Sequence, residues 1–167
     1  MIRPYRTEDN AAVVALFRQF MAELTPADMK EEFAEYVEIA IRDELGRVGE
    51  YYASRPRQGF WVAELGGRVV GMIGIEKREE HVAEVRRMAV ETSHRRRGIG
   101  RALLAAAEAF SRESGYEKIQ LSTSERQEAA RRLYESNGYR LLGTGVASRT
   151  THKLIGGITR FYYEKRL

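Results

Sequence analysis

The stretch from Val90 to Leu104 reads VETSHRRRGIGRALL, and the rest of the chain can be interpreted outward from it. It leaves an apolar segment, passes through a basic turn that contains Gly98 and Gly100, and enters a segment rich in alanine and leucine. This pattern predicts a strand, a turn and a helix. A helix N-terminus has unpaired backbone N–H groups and a partial positive charge, and glycine lets a ligand approach the backbone closely. The turn therefore indicates a site for a phosphorylated cofactor.

Length and composition favour one globular domain over residues 1–167. Hydrophobic residues make up 43% of the chain and charged residues 31%, as in a globular protein. We expect no membrane span and no signal peptide, because no apolar run is long enough and the N-terminus lacks the pattern. The absence of cysteine excludes disulfides and thiolate metal sites and is compatible with a cytoplasmic location, which we expect.

Several ligand classes have little support in the sequence. The net charge of +4 is a mild excess without aromatic interleaving, so no nucleic-acid partner is expected. His81, His94 and His152 are scattered without ligand spacing, so no metal site is expected. Neither a triphosphate-binding loop nor a serine-hydrolase elbow is present.

Periodicity along the chain predicts the element order β-α-α-β-β-β-α-β-α-β-β. Pro26 is expected to open a long second helix that ends near Tyr52 and is interrupted near Gly46 or Gly49. The predicted strands are residues 2–6, 60–65, 68–77, 81–90, 117–124, 139–146 and 157–167. The fold class is therefore α/β (α+β), with a mixed sheet of about seven strands and helices on both faces. Only the unit from residue 81 to residue 124 requires a parallel pair.

Two motifs stand out in the second half of the chain. The first is the Arg95-x-x-Gly98-x-Gly100 turn, entered from Met88-Ala89-Val90, and the second is Ala130-Arg131-Arg132-Leu133-Tyr134-Glu135-x-x-Gly138-Tyr139. At this spacing the two motifs resemble the signatures of the GNAT superfamily of acetyl-CoA-dependent N-acetyltransferases. The sequence departs from the family at two positions: Arg96 stands where many members have glycine, and Gln127 where many have asparagine. A weaker likeness, at residues 121–130 and 154–158, is to the branch that acetylates cysteine S-conjugates and aspartate.

The resemblance implies acetyl-CoA as the acyl donor. Backbone N–H groups from Arg96 through Arg101 would hold its pyrophosphate, and a strand N–H near Met88 would face the thioester carbonyl. The residues expected to contact the cofactor are Met88, Ala89, Val90, Arg95, Arg96, Arg97, Gly98, Ile99, Gly100, Arg101 and Gln127.

The resemblance also implies two catalytic candidates, Tyr134 and Glu84. Tyr134 would give a proton to the departing thiolate, and its alternative is an aromatic core residue. Glu84 would be the general base that some members have, and its alternative is a solvent-facing strand residue paired with Arg86 or Arg87. The identity of the base, Glu84 or water, stays open.

The function that the resemblance implies is acetyl transfer to a primary amine of a small molecule or amino acid. Because the chain has no cysteine for an acetyl-enzyme, direct attack in a ternary complex is expected. The acceptor is expected between the second helix and residues 147–156. A protein N-terminal or lysine acetyltransferase, and a non-catalytic acyl-CoA-binding sensor, are the alternatives. A homodimer through the closing strands is left open, as are the amine and the preferred acyl length.

Overall fold

A seven-stranded mixed sheet lies at the centre of the computed structural model, which describes all 167 residues. The strands, in chain order, are β1 (Ile2–Pro4), β2 (Gly59–Leu65), β3 (Arg68–Glu79), β4 (Val82–Val90), β5 (Lys118–Ser124), β6 (Arg140–Val146) and β7 (Thr159–Arg166). The helices are α1 (Asn10–Leu24), α2 (Lys30–Asp43), α3 (Val48–Ala53), α4 (Ile99–Glu113) and α5 (Glu128–Ser136). The order across the sheet is β1-β2-β3-β4-β5-β7-β6, which confirms the predicted mixed sheet.

The second predicted helix is wrong in its start, whereas its predicted interruption is present. Pro26 lies in a turn, and α2 begins only at Lys30. After Asp43 a short 3₁₀ turn, Leu45–Arg47, separates α2 from the additional helix α3. The break falls at Gly46, one of the two predicted positions, where an added Cβ would lie 2.8 Å from the carbonyl oxygen of Ile41.

Strands β4 and β5 form the parallel pair, as predicted, but over a short length. Their register is Val82 with Lys118, Ala83 with Ile119 and Glu84 with Gln120. Beyond Glu84 the two strands have no further pairs, although β4 continues to Val90. The sheet is therefore open between the carboxyl-terminal halves of these strands.

The two faces of the sheet carry separate apolar cores, which confirms helices on both faces. One cluster of 16 buried residues joins α1, α2 and α3 to the sheet, with Phe17, Tyr36 and Val48 among its members. A second cluster of 15 buried residues joins α4 and α5 to the opposite face, with Leu103 and Tyr134 among its members. No helix is both long enough and apolar enough to cross a membrane.

Strand β6 is the free edge of the sheet next to β7. It exposes Leu141, Leu142 and Val146, whose exposed fractions are 46%, 50% and 62%. An apolar edge strand can pair with another copy. The homodimer stays a prediction.

Candidate active site

The turn before α4 presents a continuous series of unpaired backbone N–H groups. The N–H of Arg95 donates to the Thr92 carbonyl at 3.2 Å, and that of Ala102 donates to the Gly98 carbonyl at 3.0 Å. None of the six N–H groups between them, from Arg96 to Arg101, donates to an acceptor within the chain. Unpaired N–H groups at the positive end of a helix dipole favour an anion, so the structure is compatible with the predicted phosphate site.

The two glycines of this turn have different physical reasons to be there. Gly98 has a φ of 81°, and an added Cβ would meet nothing within 4 Å, so it gives the turn its left-handed conformation. Gly100 has no such φ, but its Cβ would lie 3.2 Å from Cδ2 of Leu133 and 3.5 Å from Cε of Met88. Gly100 thus also lets α4 approach α5 and β4 closely.

Of the four arginines near the turn, one forms side-chain hydrogen bonds within the chain and three have exposed side chains. Arg95 donates from Nε to the Val90 carbonyl at 3.0 Å and from Nη2 to a Glu23 carboxylate oxygen at 2.6 Å. It therefore ties the turn to α1. The side chains of Arg96, Arg97 and Arg101 are exposed and enter no ion pair of the chain. Their charges are available to an anionic ligand.

A cavity lies where β4 and β5 diverge, and 14 of its 22 lining residues are hydrophobic. Of the predicted site residues, Met88, Ala89, Gln127 and Tyr134 line it. Val90, the turn residues and Glu84 do not. The structure therefore brings four of the predicted residues to one cavity.

Tyr134 is both a core residue and a cavity residue, and its role as proton donor stays a prediction. It is 5% exposed, and its ring packs on Tyr139 and Tyr163 at centroid distances of 5.8 and 6.2 Å. Its hydroxyl reaches the cavity and donates to the sulfur of Met88 at 3.6 Å. Burial raises the pKa of Tyr134 to about 12, so the phenol stays protonated at neutral pH.

A β-bulge shapes the backbone of β4 beside the cavity. Met72 pairs with Ala89 and Gly74 with Arg86, so Arg87 and Met88 together face one residue of β3. Arg87 has a φ of 54°, which is uncommon for a residue other than glycine. Bulges redirect the backbone and are frequent next to active sites. The bulge in β4 lies beyond Glu84, where β4 no longer pairs with β5.

Gln127 holds the turn between β5 and α5. Its side-chain oxygen accepts hydrogen bonds from the Thr123 hydroxyl, the Ser124 hydroxyl and the Ser124 backbone N–H, each at 3.1 Å. The side chain thus fixes the rim of the cavity.

Glu84 is surrounded by cations instead of facing the cavity. Its carboxylate lies 3.8 Å from Nη1 of Arg86, 3.8 Å from Nζ of Lys153 and 3.9 Å from Nη1 of Arg78. The structure thus shows the pairing with Arg86 that the alternative interpretation describes. The role of general base stays a prediction.

A buried ion cluster next to the cavity was missed from the sequence. Glu44 is completely buried and accepts hydrogen bonds from Nε of Arg87 at 3.0 Å and from the Tyr52 hydroxyl at 2.7 Å. Burial opposes ionisation of Glu44, but the charges of Arg87 and Arg86 hold its pKa below the ordinary value. The one signal in the sequence is the pair Arg86-Arg87 inside a mainly apolar strand.

The region predicted for the acceptor, between the second helix and residues 147–156, lies only partly at the cavity. Tyr36 of α2 lines it, and residues 147–156 contribute Lys153 and Ile155. Glu32 and Glu35 are exposed and lie outside the lining, while the Tyr51 and Tyr52 hydroxyls donate to Glu76 and Glu44. No group of three or more His, Asp or Glu side chains is arranged to hold a metal ion.

Comparison with known proteins identifies the family of this chain. A sequence model described as "Acetyltransferase (GNAT) family" matches residues 13–139. The chain belongs to this family, as its two motifs predicted. An N-acetylaspartate synthetase of Xenopus tropicalis is 34% identical over 131 residues, which are 78% of this chain and 46% of that relative. The chain thus spans less than half of the relative's length.

Solved structures show the same fold. An acetyltransferase of the GNAT family from Staphylococcus aureus superposes with a TM-score of 0.79 at 21% identity, covering 100% of this chain and 98% of the other. The PaiA N-acetyltransferase of Thermoplasma acidophilum, in complex with coenzyme A, gives a TM-score of 0.75 at 18% identity, with 100% and 98% covered. The predicted GNAT-like fold is confirmed.

Proposed function

We propose that this protein transfers an acetyl group from acetyl-CoA to a primary amine of a small molecule or amino acid, by direct attack in a ternary complex. The observation that carries the proposal is the series of six unpaired backbone N–H groups, Arg96 to Arg101, beside a cavity that contains the Tyr134 hydroxyl. An anion site next to an apolar cleft fits a ligand with phosphates at one end and a long uncharged arm at the other.

The residues present fit acetyl-CoA. The N–H groups of Arg96 to Arg101 would hold its pyrophosphate, and the predominantly apolar cavity between β4 and β5 would hold its pantetheine arm. When bound, acetyl-CoA supplies an acetyl group activated as a thioester. The backbone of β4 at Met88 would orient the thioester carbonyl and stabilise the negative charge that develops on its oxygen.

Tyr134 is suited to provide the proton that the sulfur needs. The amine nitrogen forms a bond to the acetyl carbon, the carbon–sulfur bond breaks, and one proton leaves the amine for solvent water. The Tyr134 hydroxyl gives its proton to the sulfur and regains one from solvent. With a pKa raised to about 12, this phenol carries its proton throughout the neutral range. The chain has no cysteine that would form an acetyl-enzyme.

The choice of a small amine is supported by the relative whose name refers to N-acetylaspartate, an acetylated amino acid. A protein N-terminal or lysine acetyltransferase remains the alternative acceptor class, because one fold serves both. A non-catalytic acyl-CoA sensor would keep the same cleft without turnover.

A thiol-release assay with acetyl-CoA and a panel of amines, amino acids and peptides tests the proposal. We expect release of coenzyme A that depends on the added amine and is fastest with small amines. Preference for peptides would favour the protein acetyltransferase. Binding of acetyl-CoA without turnover on the whole panel would favour the sensor, and absence of binding would refute both.

Gly98 provides a test of the anion site. In a Gly98→Val variant the β-branched side chain disfavours the φ of 81°, so the N–H groups of the turn shift out of alignment. We expect the Kd for acetyl-CoA to rise by about tenfold or more, measured by calorimetry. Gly66→Val is the matched control, since Gly66 also has a positive φ (57°) with nothing within 4 Å but lies in the β2–β3 turn. Equal affinities of the two variants would contradict the assignment.

A further inference from the structure

The charged side chains that line the cavity between β4 and β5 are all basic. Four basic side chains line it, and no aspartate or glutamate is among its 22 lining residues. The four are Arg86, Arg87, Lys153 and Arg160. They lie apart from the turn residues Arg96 to Arg101, which are not part of this lining.

Two of these cations already have a carboxylate within hydrogen-bond distance. Arg87 donates to Glu44 from Nε at 3.0 Å, and Nζ of Lys153 donates to a Glu76 oxygen at 2.7 Å. The charges of these two side chains are therefore balanced within the protein. Arg86 and Arg160 form no hydrogen bond to a carboxylate.

Arg86 is buried without a hydrogen-bond partner for most of its guanidinium group. The residue is 6% exposed, and its Nε and Nη2 atoms donate to no acceptor. The nearest carboxylates, of Glu84, Glu76 and Glu44, lie 3.8, 3.9 and 4.0 Å away. Burying charged N–H groups without hydrogen-bond partners costs free energy. A guanidinium group at a cavity wall whose N–H groups have no acceptor therefore indicates that a ligand supplies the acceptor.

Arg160 has no carboxylate partner at all. It is held by Ser122, whose hydroxyl accepts from Nε at 3.1 Å and whose carbonyl accepts from Nη2 at 2.9 Å. Burial, with the positive charge of Arg86 acting in the same direction, lowers the pKa of Arg160. Two cations that repel each other, one buried and one half-buried, gain from an anion placed between them.

The register of the sheet brings the two guanidinium groups to the same gap. The parallel pairs Val82–Lys118 and Glu84–Gln120, continued by two residues, set Ser122 opposite Arg86. At that level β4 and β5 have already separated. Arg160, fixed on Ser122, therefore faces Arg86 across the open part of the sheet.

We propose that Arg86 and Arg160 together bind a carboxylate of the acceptor, so that the substrate is an amine that also carries a carboxylate, as an α-amino acid does. This inference rests on the proposed acetyl transfer. Guanidinium groups match carboxylates in geometry, and both have unused N–H groups here. Met88 lies two residues beyond Arg86 on β4, so the amine next to a bound carboxylate is directed toward the predicted position of the thioester.

Matched acceptor pairs on the wild-type protein provide the first test. The pairs are L-alanine with L-alaninamide, L-phenylalanine with phenethylamine, and L-aspartate with its diamide. We expect kcat/KM to be about 10- to 100-fold higher for the carboxylate member. In the two amide pairs the amide lowers the basicity of its amine, which by itself favours the amide, so a preference for the carboxylate member there would not arise from amine protonation. Equal or faster turnover of the members without a carboxylate would overturn the carboxylate site while leaving acetyl transfer intact.

A binding measurement separates the two proposals if no amine is acetylated. Calorimetry then compares L-alanine with L-alaninamide on the protein saturated with coenzyme A. Tighter binding of L-alanine supports the carboxylate site although the acetyl transfer has failed. Equal binding, or none, refutes the site as well.

Substitutions of the two arginines provide the second test. We expect Arg160→Gln to raise the KM for the carboxylate acceptor about 10- to 100-fold and to remove the preference over the amide. The KM for acetyl-CoA should not change, and Arg160→Lys should restore part of the preference. Arg86→Lys should act in the same direction, and if it does not fold, the Arg160 variants decide alone.

The control is Arg18→Gln, at an exposed arginine on α1 that pairs with Glu38. We expect wild-type values for both substrates. If Arg160→Gln instead raises the KM for acetyl-CoA and keeps the preference for carboxylates, the two arginines bind the cofactor, and the proposal is wrong.

Discussion

Replacing Tyr134 by phenylalanine is expected to reduce kcat by about 100-fold or more and to leave the Kd for acetyl-CoA nearly unchanged. The phenylalanine ring keeps the packing on Tyr139 and Tyr163, and the only hydrogen bond lost within the chain is the long contact to the sulfur of Met88. What disappears is the proton for the leaving sulfur. Steady-state kinetics with saturating amine, together with calorimetry of acetyl-CoA binding, measure both quantities.

Tyr163→Phe is the control for this variant. Tyr163 is as deeply buried, but its hydroxyl donates to Glu135 and it does not line the cavity. We expect its kcat to stay near the wild-type value. Equal kcat values for the two variants would remove Tyr134 from the mechanism.

The wild-type enzyme should also keep its rate at high pH. Because the pKa of Tyr134 is raised to about 12, the rate should show no loss from deprotonation of this phenol up to about pH 10.

Replacing Glu44 by glutamine is expected to lower the free energy of unfolding by about 3 kcal/mol. Glutamine has the same shape, so the change removes the charge that balances Arg87 and Arg86 in a fully buried position. Urea unfolding at neutral pH measures the effect. Glu38→Gln, in the exposed pair with Arg18, should unfold almost as the wild type does, because exposed ion pairs contribute little.

The contribution of Glu44 also has a defined dependence on pH. The pKa of this carboxyl in the folded protein lies below its ordinary value of 4.5. The stability it provides is therefore fully present above the ordinary pKa and is lost as the pH falls through the folded-state pKa. The gap between wild type and Glu44→Gln should be widest near neutral pH and should narrow in acid. A constant gap from pH 7 to pH 3 would contradict this account.

The parts of the site that depend on local sequence were predictable. The turn at Arg96–Arg101 follows from neighbouring residues alone, because a strand precedes it, two glycines lie in it and an alanine-rich segment follows it. The structure shows the expected unpaired N–H groups there. Tyr134 follows Ala130 at helical spacing, so its inward direction also follows from the sequence. The same holds for the break at Gly46.

The parts that depend on distant partners were not predictable. Glu44 meets Arg87 across 43 positions of the chain, and Arg95 meets Glu23 across 72. Whether a cation is free or already paired depends on such contacts, and no local pattern reports them. For that reason the sequence does not distinguish Arg95 from Arg96 and Arg97, and it gives no indication of the position of Arg160.

The sheet divides the protein into two cores, one with α1, α2 and α3 and the other with α4 and α5. The first core adjoins the region assigned to the amine, whereas the second supports the turn assigned to the cofactor. Substitutions in separate, non-contacting regions have nearly additive effects on stability. An evolving lineage, or a designer, can therefore reshape the first core for a new amine while the second core continues to support the cofactor turn.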